Sequence, residues 1–148
     1  MSSDCVFCSI ISGDTDAAIV YRDDTIIMFL DISPLFHGHT LVVPIEHHER
    51  LADLPAEQID LLFQRVQVLS DVMQEPFGAQ GSFVAMNNIV SQSVPHLHVH
   101  VVPRTKGDGL KGFFWPRTRY DDAAHMARVA DNLHVGFAPA WAARIIES

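Results

Sequence analysis

The run VPHLHVHVVPR, from Val94 to Arg104, carries three of the chain's nine histidines at alternate positions: His96, His98 and His100. Imidazole titrates close to neutrality, so a row of such rings suits nucleophilic attack, proton movement or metal ligation. On a strand, alternate residues share a face, with successive ones roughly 6.5–7 Å apart. The three histidines would then stand in line while Leu97, Val99 and Val101 turn to the core. One ring could attack a reacting centre while the next holds the groups around it. Burying three titratable rings without partners is costly, which weakens a purely structural reading. A His-x-His metal site is the competing chemistry.

Cys5 and Cys8 are the only cysteines, spaced C-x-x-C. A redox C-x-x-C usually follows a strand and opens a long helix, and no strand precedes this one. Metal ligation is the better reading, provided two further ligands exist. Charge gathers elsewhere. Arg104, Lys106, Lys111, Arg117 and Arg119 are half of the chain's 10 basic residues and face the single acid Asp108. Such an island either attracts a small polyanion, such as a phosphate ester, or forms a solvated loop.

Several elements position these groups. Ala18–Asp23 and Thr25–Ile32 are β-branched and aromatic runs around Asp23 and Asp24, and predict a hairpin. HTLVVP predicts a third strand ending at Pro44. Pro55 suits a first helical position, with Asp53 as a cap. Ile59, Leu62, Phe63, Val66, Leu69, Val72 and Met73 then fall at helical spacing, up to EPFG. GSFVAMNN and HLHVHVV predict a fourth and a fifth strand, and RTKGDGLKGFFWPR a long loop. DDAAHMARVADNL predicts a second helix, with a short one possible in the tail after Pro139. Strands interrupted by one long helix indicate an α+β domain with a largely antiparallel sheet.

The whole chain, 148 residues and 48% hydrophobic, fits one compact domain over residues 1–148. Its core would span about 4–120, with a C-terminal helix and tail over 121–148. A formal charge of −8 argues against general binding of nucleic acid or anionic membrane. No apolar run approaches the roughly 18 residues of a membrane span, and the first residues lack a secretory pattern. The expected location is the cytoplasm.

HLHVHVV also fits the His-φ-His-φ-His-φ-φ signature of the histidine triad (HIT) family of nucleotide hydrolases and transferases, where φ is apolar. CVFCSIISGD, FLDISPLFHGHTLVVP and QSVPHLHVHVVPR resemble that family in the same order, and the chain looks closest to its Hint-like bacterial branch, which carries an N-terminal zinc-binding C-x-x-C. The resemblance implies a HIT-like fold: a mainly antiparallel sheet of about five strands, one long helix and a C-terminal helix. It also implies a homodimer and a purine-nucleotide substrate, with no organic cofactor.

The resemblance assigns roles residue by residue. His98 would attack the α-phosphorus of a nucleoside 5′-monophosphate joined to a leaving group. His100 would hold the phosphoryl oxygens, and His39 would support the triad. Ser93 and Gln92 match residues near the phosphate and leaving group, and Asn87 matches a phosphate-contacting asparagine, with Asn88 as an alternative. Asp31 matches the acid that accepts from the ribose hydroxyls; on its own it would read as a turn residue. Phe7, Ile10, Phe29 and Ile32 could form the base slot or be ordinary core. Cys5, Cys8, His47 and His96 would hold one structural zinc per chain, with His48 one step off register.

One departure stands out. NNIVSQSVPH is shorter than the family's glycine-rich loop and has Ser91 where glycine is expected, which leaves the leaving group open. The function implied is release of a nucleotide, AMP in the first instance, from a partner such as a phosphoramidate. A dinucleoside polyphosphate hydrolase using the same site is the alternative. A non-catalytic purine-nucleotide-binding protein and a carrier of several metal ions are readings of other classes.

Overall fold

The computed structural model describes residues 4–111 and 117–147, with side chains as far as residue 144. The aromatic stretch Phe113 to Pro116 lies outside the described residues. The chain divides into two compact units, Met1–Gly109 and Leu110–Ser148.

The first unit is a five-stranded antiparallel sheet with helices on both faces. In chain order its elements are α1 (Val6–Ser12), β1 (Ile19–Arg22), β2 (Ile26–Leu30), β3 (Thr40–Pro44), α2 (Ala56–Val72), α3 (Gln74–Phe77), β4 (Gly81–Ala85) and β5 (Val99–Arg104). A 3-10 turn, Leu51–Asp53, precedes α2. The strand order is β1-β2-β3-β5-β4. β5 therefore lies inside the sheet, where a ladder on each side fixes the register of His100 opposite Leu41 and Ala85.

Side-chain alternation splits the core in two. Met28, Val42, Leu97, Val99 and Val101 pack with Leu62, Val66, Leu69 and Met73 of the α2 segment. Ile27, Phe29, Leu41 and Val43 face the other way, onto Cys5, Phe7, Cys8 and Ile11. Helical spacing locates α2 well, but Phe63 and Val72 face outward. Asp53 accepts from Arg50 and so closes the 3-10 turn, whereas Pro55 takes the N-cap position of α2.

Three further boundaries differ from the sequence reading. α1 was not anticipated, because seven residues around two cysteines carry too little periodicity to register. β4 stops at Ala85, before the two asparagines. β5 begins at Val99, so His96 and His98 precede the paired strand. The amide of Leu97 donates instead to the carbonyl of His48, at 2.6 Å. The alternation nonetheless continues upstream, because Leu97 joins the α2-side core with Val99 and Val101.

The second unit contains α4 (Ala123–Glu147), one continuous helix running through Pro139. The expected break into two helices does not occur. Asp122 caps its start, accepting from the amide of His125 at 2.7 Å. Phe137 and Trp141, one turn apart, stack with centroids at 6.1 Å. No helix among the described residues is long and apolar enough to cross a membrane.

Candidate active site and metal centre

At the start of α1, Cys5 occupies the N-cap position and Cys8 lies three residues on, which brings both sulfurs to one side of the first turn. Cys5 Sγ is 3.5 Å from Nδ1 of His96, and Cys8 Sγ is 3.6 Å from the same atom. Cys8 Sγ lies 3.2 Å from Nδ1 of His47, and all four donor atoms fall within 4.8 Å of one another. A zinc tetrahedron with ordinary Zn–S and Zn–N bonds has S···N edges of roughly 3.5 Å. The other nitrogen of His96 donates to the carbonyl of Pro44 at 2.8 Å, so the ring's lone pair sits on Nδ1, toward the sulfurs. Burial pushes the His96 pKa down to about 4, which keeps the ring neutral as ligation requires. The donor set, spacing and tautomer fit zinc. His48 stands outside this cluster, as the register predicts.

His98 follows on the same face. Its Nδ1 lies 2.7 Å from the carbonyl of His96; a carbonyl only accepts, so Nδ1 carries the proton and Nε2 the lone pair. The ring is buried. Phe7 meets it edge-on at 5.1 Å, and His100 lies 5.0 Å away between centroids.

His100 is set by a relay. The backbone N–H of Leu35 donates to Nδ1 of His39 at 3.1 Å, which places the proton of neutral His39 on Nε2. That nitrogen is 2.9 Å from Nδ1 of His100, so His39 donates and His100 keeps its proton on Nε2, as an available donor. Asp31 Oδ2, 3.6 Å from His39 Nε2, is the more distant acceptor. Burial lowers the pKa of both rings, that of His100 to about 4, where the neighbouring histidines add to the effect. Asp31, His39 and His100 also lie close enough to hold a cation. The Leu35 bond, however, takes the lone pair His39 would need, and the chain of donors and acceptors satisfies the group without metal. Gly38, with φ of 94°, is the third residue of the Phe36–His39 turn that delivers His39; a Cβ there would stand 2.5 Å from the Phe77 ring.

The remaining predicted residues divide. Asp31 accepts from the Ser33 amide through Oδ1, leaving Oδ2 toward the site. Phe7 and Phe29 are buried and meet edge-on at 5.2 Å, whereas Ile32 is 98% exposed beside Asp31. Asn87 is half-buried and Ser93 exposed. Gln92 and Asn88 bond to backbone groups of the loop and of residues 49–51. Arg104 pairs with Asp108 at 2.6 Å. The groups that sequence reasoning missed are backbone ones: the carbonyls of Pro44 and His96 and the amide of Leu35, which choose the tautomers. No side-chain pattern announces them.

The HIT-domain family model matches residues 12–107, and the chain belongs to that family. A Bacillus subtilis protein, Protein hit, is 39% identical over 124 residues, 82% of this chain and 84% of that one. A crystal structure from Streptococcus mutans superposes with a TM-score of 0.82 at 33% identity, covering 92% and 87% of the two chains. A zinc-bound histidine triad protein of Mycobacterium smegmatis gives 0.71 at 34%, covering 89% and 99%. Two relatives have names that state an activity. An adenylylsulfatase of Arabidopsis thaliana is 32% identical, with 74% of this chain matching 57% of that protein. An asymmetrical bis(5′-nucleosyl)-tetraphosphatase of Schizosaccharomyces pombe is 35% identical, with 61% matching 50%.

Proposed function

We propose that this protein is a nucleotide hydrolase that releases a nucleoside 5′-monophosphate, AMP in the first instance, from its leaving group through a covalent nucleotidyl-His98. The observation that carries the reading is the tautomer of His98: its Nδ1–H is held by the His96 carbonyl, which leaves the Nε2 lone pair as nucleophile. Nε2 bonds to the α-phosphorus as the bond to the leaving group breaks, and the leaving group departs with a proton taken from solvent. Water then attacks the phosphorus and gives up a proton to solvent, the P–N bond breaks, and neutral His98 is restored with its Nδ1–H still on the His96 carbonyl. His100, one ring away, offers its Nε2–H to a phosphoryl oxygen, where negative charge builds. Ser93 and Asn87 line the loop before it, and the free oxygen of Asp31 suits a ribose hydroxyl.

Zinc in the Cys5, Cys8, His47 and His96 quartet would be closed by four protein ligands, a clamp rather than a water activator. The relatives named for adenylylsulfate and dinucleoside tetraphosphate hydrolysis support the class and leave the bond open. A diadenosine polyphosphate is therefore the second candidate substrate. The basic island gives it less support than its composition suggests, since Arg104 is paired with Asp108.

The test is AMP release from adenosine 5′-phosphoramidate and from a diadenosine polyphosphate, by the parent and by His98→Ala. Release should fall by about 10³-fold or more in the variant, with AMP binding retained. A His98→Ala protein that turns over normally sinks the mechanism. Binding without release by the parent would point to a nucleotide-binding protein instead.

A further inference from the structure

The loop between β4 and β5 has a shape its own residues do not favour. Ile89 and Ser91 both lie in the left-handed region, at φ 68° and 60°. For a β-branched residue that conformation costs about 1–2 kcal/mol. Burial does not offset it, since Ile89 is 67% and Val90 78% exposed. The loop is held partly by its own bonds, from the Val90 amide to the Asn88 carbonyl at 2.8 Å and from the Ile89 amide to Oε1 of Gln92 at 3.0 Å, and partly from outside.

The outside contact is the segment from His47 to Leu51, which meets the loop in successive rungs. His47 and His96 face each other in the metal quartet, with ring centroids 4.7 Å apart. The carbonyl of His48 accepts from the amide of Leu97 at 2.6 Å. The carbonyl of Glu49 accepts from Nε2 of Gln92 at 2.6 Å. The amide of Leu51 donates to Oδ1 of Asn88 at 2.8 Å. Arg50, between them, is fixed by Asp53 through bonds of 2.6 and 2.9 Å. Gln92 is the centre of this ladder, because its Oε1 also accepts from the amide of strained Ile89 at 3.0 Å. Both ends of its amide are thus engaged with backbone.

We infer that Gln92 is a positioning residue that latches the phosphate loop to residues 47–51, and that filling the metal quartet sets the shape of that loop through the His47–His96 rung. The inference rests on the zinc reading of the quartet and on the phosphate-cradle reading of residues 87–93. The physical logic is that of a ladder closed at one end. Tying His47 to His96 removes relative motion at the first rung, so each later bond forms at less entropic cost. An empty quartet leaves three isolated hydrogen bonds between the segments, beside those within the loop, to oppose the strain at Ile89 and Ser91.

The experiment is amide hydrogen exchange, read without substrate, on zinc-loaded and chelator-treated protein and on zinc-loaded Gln92→Ala and Gln92→Glu. Chelation should speed exchange at Leu97, Ile89 and Leu51 by at least about 10-fold more than at amides of the β2–β3 ladder, which report the accompanying loss of global stability. Gln92→Ala should speed Ile89 and Leu51 with zinc content still at one per chain, and should raise KM for the phosphoramidate more than it lowers kcat. Gln92→Glu keeps the acceptor for Ile89 and loses the donor to Glu49, so its exchange should fall between the two. Failure to take up zinc, or unchanged loop exchange on chelation, overturns the coupling. Should chelation unfold the whole chain, the Gln92 variants decide: a fall in kcat with loop protection intact would make Gln92 a substrate contact and end the latch. Exchange is read whether or not the phosphoramidate is the substrate, so a wrong substrate leaves this result standing.

Discussion

Two clusters of buried and half-buried imidazoles sit on the same face of one sheet, and they solve the problem of burying polar rings in opposite ways. In the Cys5, Cys8, His47 and His96 quartet, two ring nitrogens and two sulfurs converge on one point, a donor set that fits a cation. In the Leu35–His39–His100 relay, each acceptor meets a donor, and the chain ends in an N–H left for a ligand. The deciding group in each is a backbone atom at the far side of the ring. The Pro44 carbonyl accepts from the Nε2–H of His96 and so turns the Nδ1 lone pair toward the two sulfurs; the Leu35 amide donates to Nδ1 of His39 and so turns its Nε2–H toward His100. Residue type alone does not separate ligand from relay.

The largest way to break the comparison is to remove one side chain of the quartet. Cys5→Ala should abolish stoichiometric zinc and lower stability by more than about 3 kcal/mol, because the binding free energy of a closed site is folding free energy. Elemental analysis with a thermal melt checks both. Equal zinc in parent and variant would return the quartet to a pair of buried thiols beside two histidines. A smaller effect is expected on the relay side. His39→Ala leaves Nδ1 of His100 without its donor, so the ring no longer has one preferred tautomer. Turnover should fall by about 10²-fold with zinc content unchanged. Loss of zinc in this variant would mean that the two clusters are not separate.

How far these roles can be read from sequence follows the same division. The alternating histidines and the apolar residues between them indicate a two-faced strand, and that is the placement found, even though pairing begins only at Val99. The C-x-x-C and His47 are legible through the family pattern. What the sequence does not carry is the set of backbone partners, because a carbonyl or an amide has no letter. The hydrogen-bonding of Gln92 and Asn88 to residues 49–51 is hidden for the same reason. α4 shows the converse. Pro139 reads as a break, yet helix continues past it, because proline removes one amide donor but does not forbid helix when the flanking turns are intact.

Acid should separate the clusters by a titration. Burial depresses the pKa of His39 and His100, the latter to about 4, against an ordinary value near 6.5. Asp31 opposes the shift in both and His98 adds to it at His100. Above about pH 6.5 neither state takes up these protons. As pH falls from there toward about 4, the unfolded chain binds them and the folded one resists, so stability is full above the window and is lost through it. Melts of zinc-loaded parent and His100→Gln between pH 7 and 4 should show a shallower loss in the variant. Parallel curves would mean that His100 is not held neutral by the fold.

The smallest effect belongs to the loop between the clusters. Ser91 has a left-handed backbone, φ 60°, at the position where the family resemblance expects glycine. Serine holds here a conformation that glycine adopts freely. Ser91→Gly removes strain of about 1 kcal/mol and gives back part of it as unfolded-chain entropy, for a net stabilisation of about 0.5 kcal/mol. Zinc content and kcat should not change. Ile89→Gly should stabilise as well, since that side chain is largely exposed and buries little. A destabilisation beyond about 1 kcal/mol in Ser91→Gly would mean that the loop gains its shape from the serine itself, and that residues 47–51 do less to hold it than the four rungs suggest.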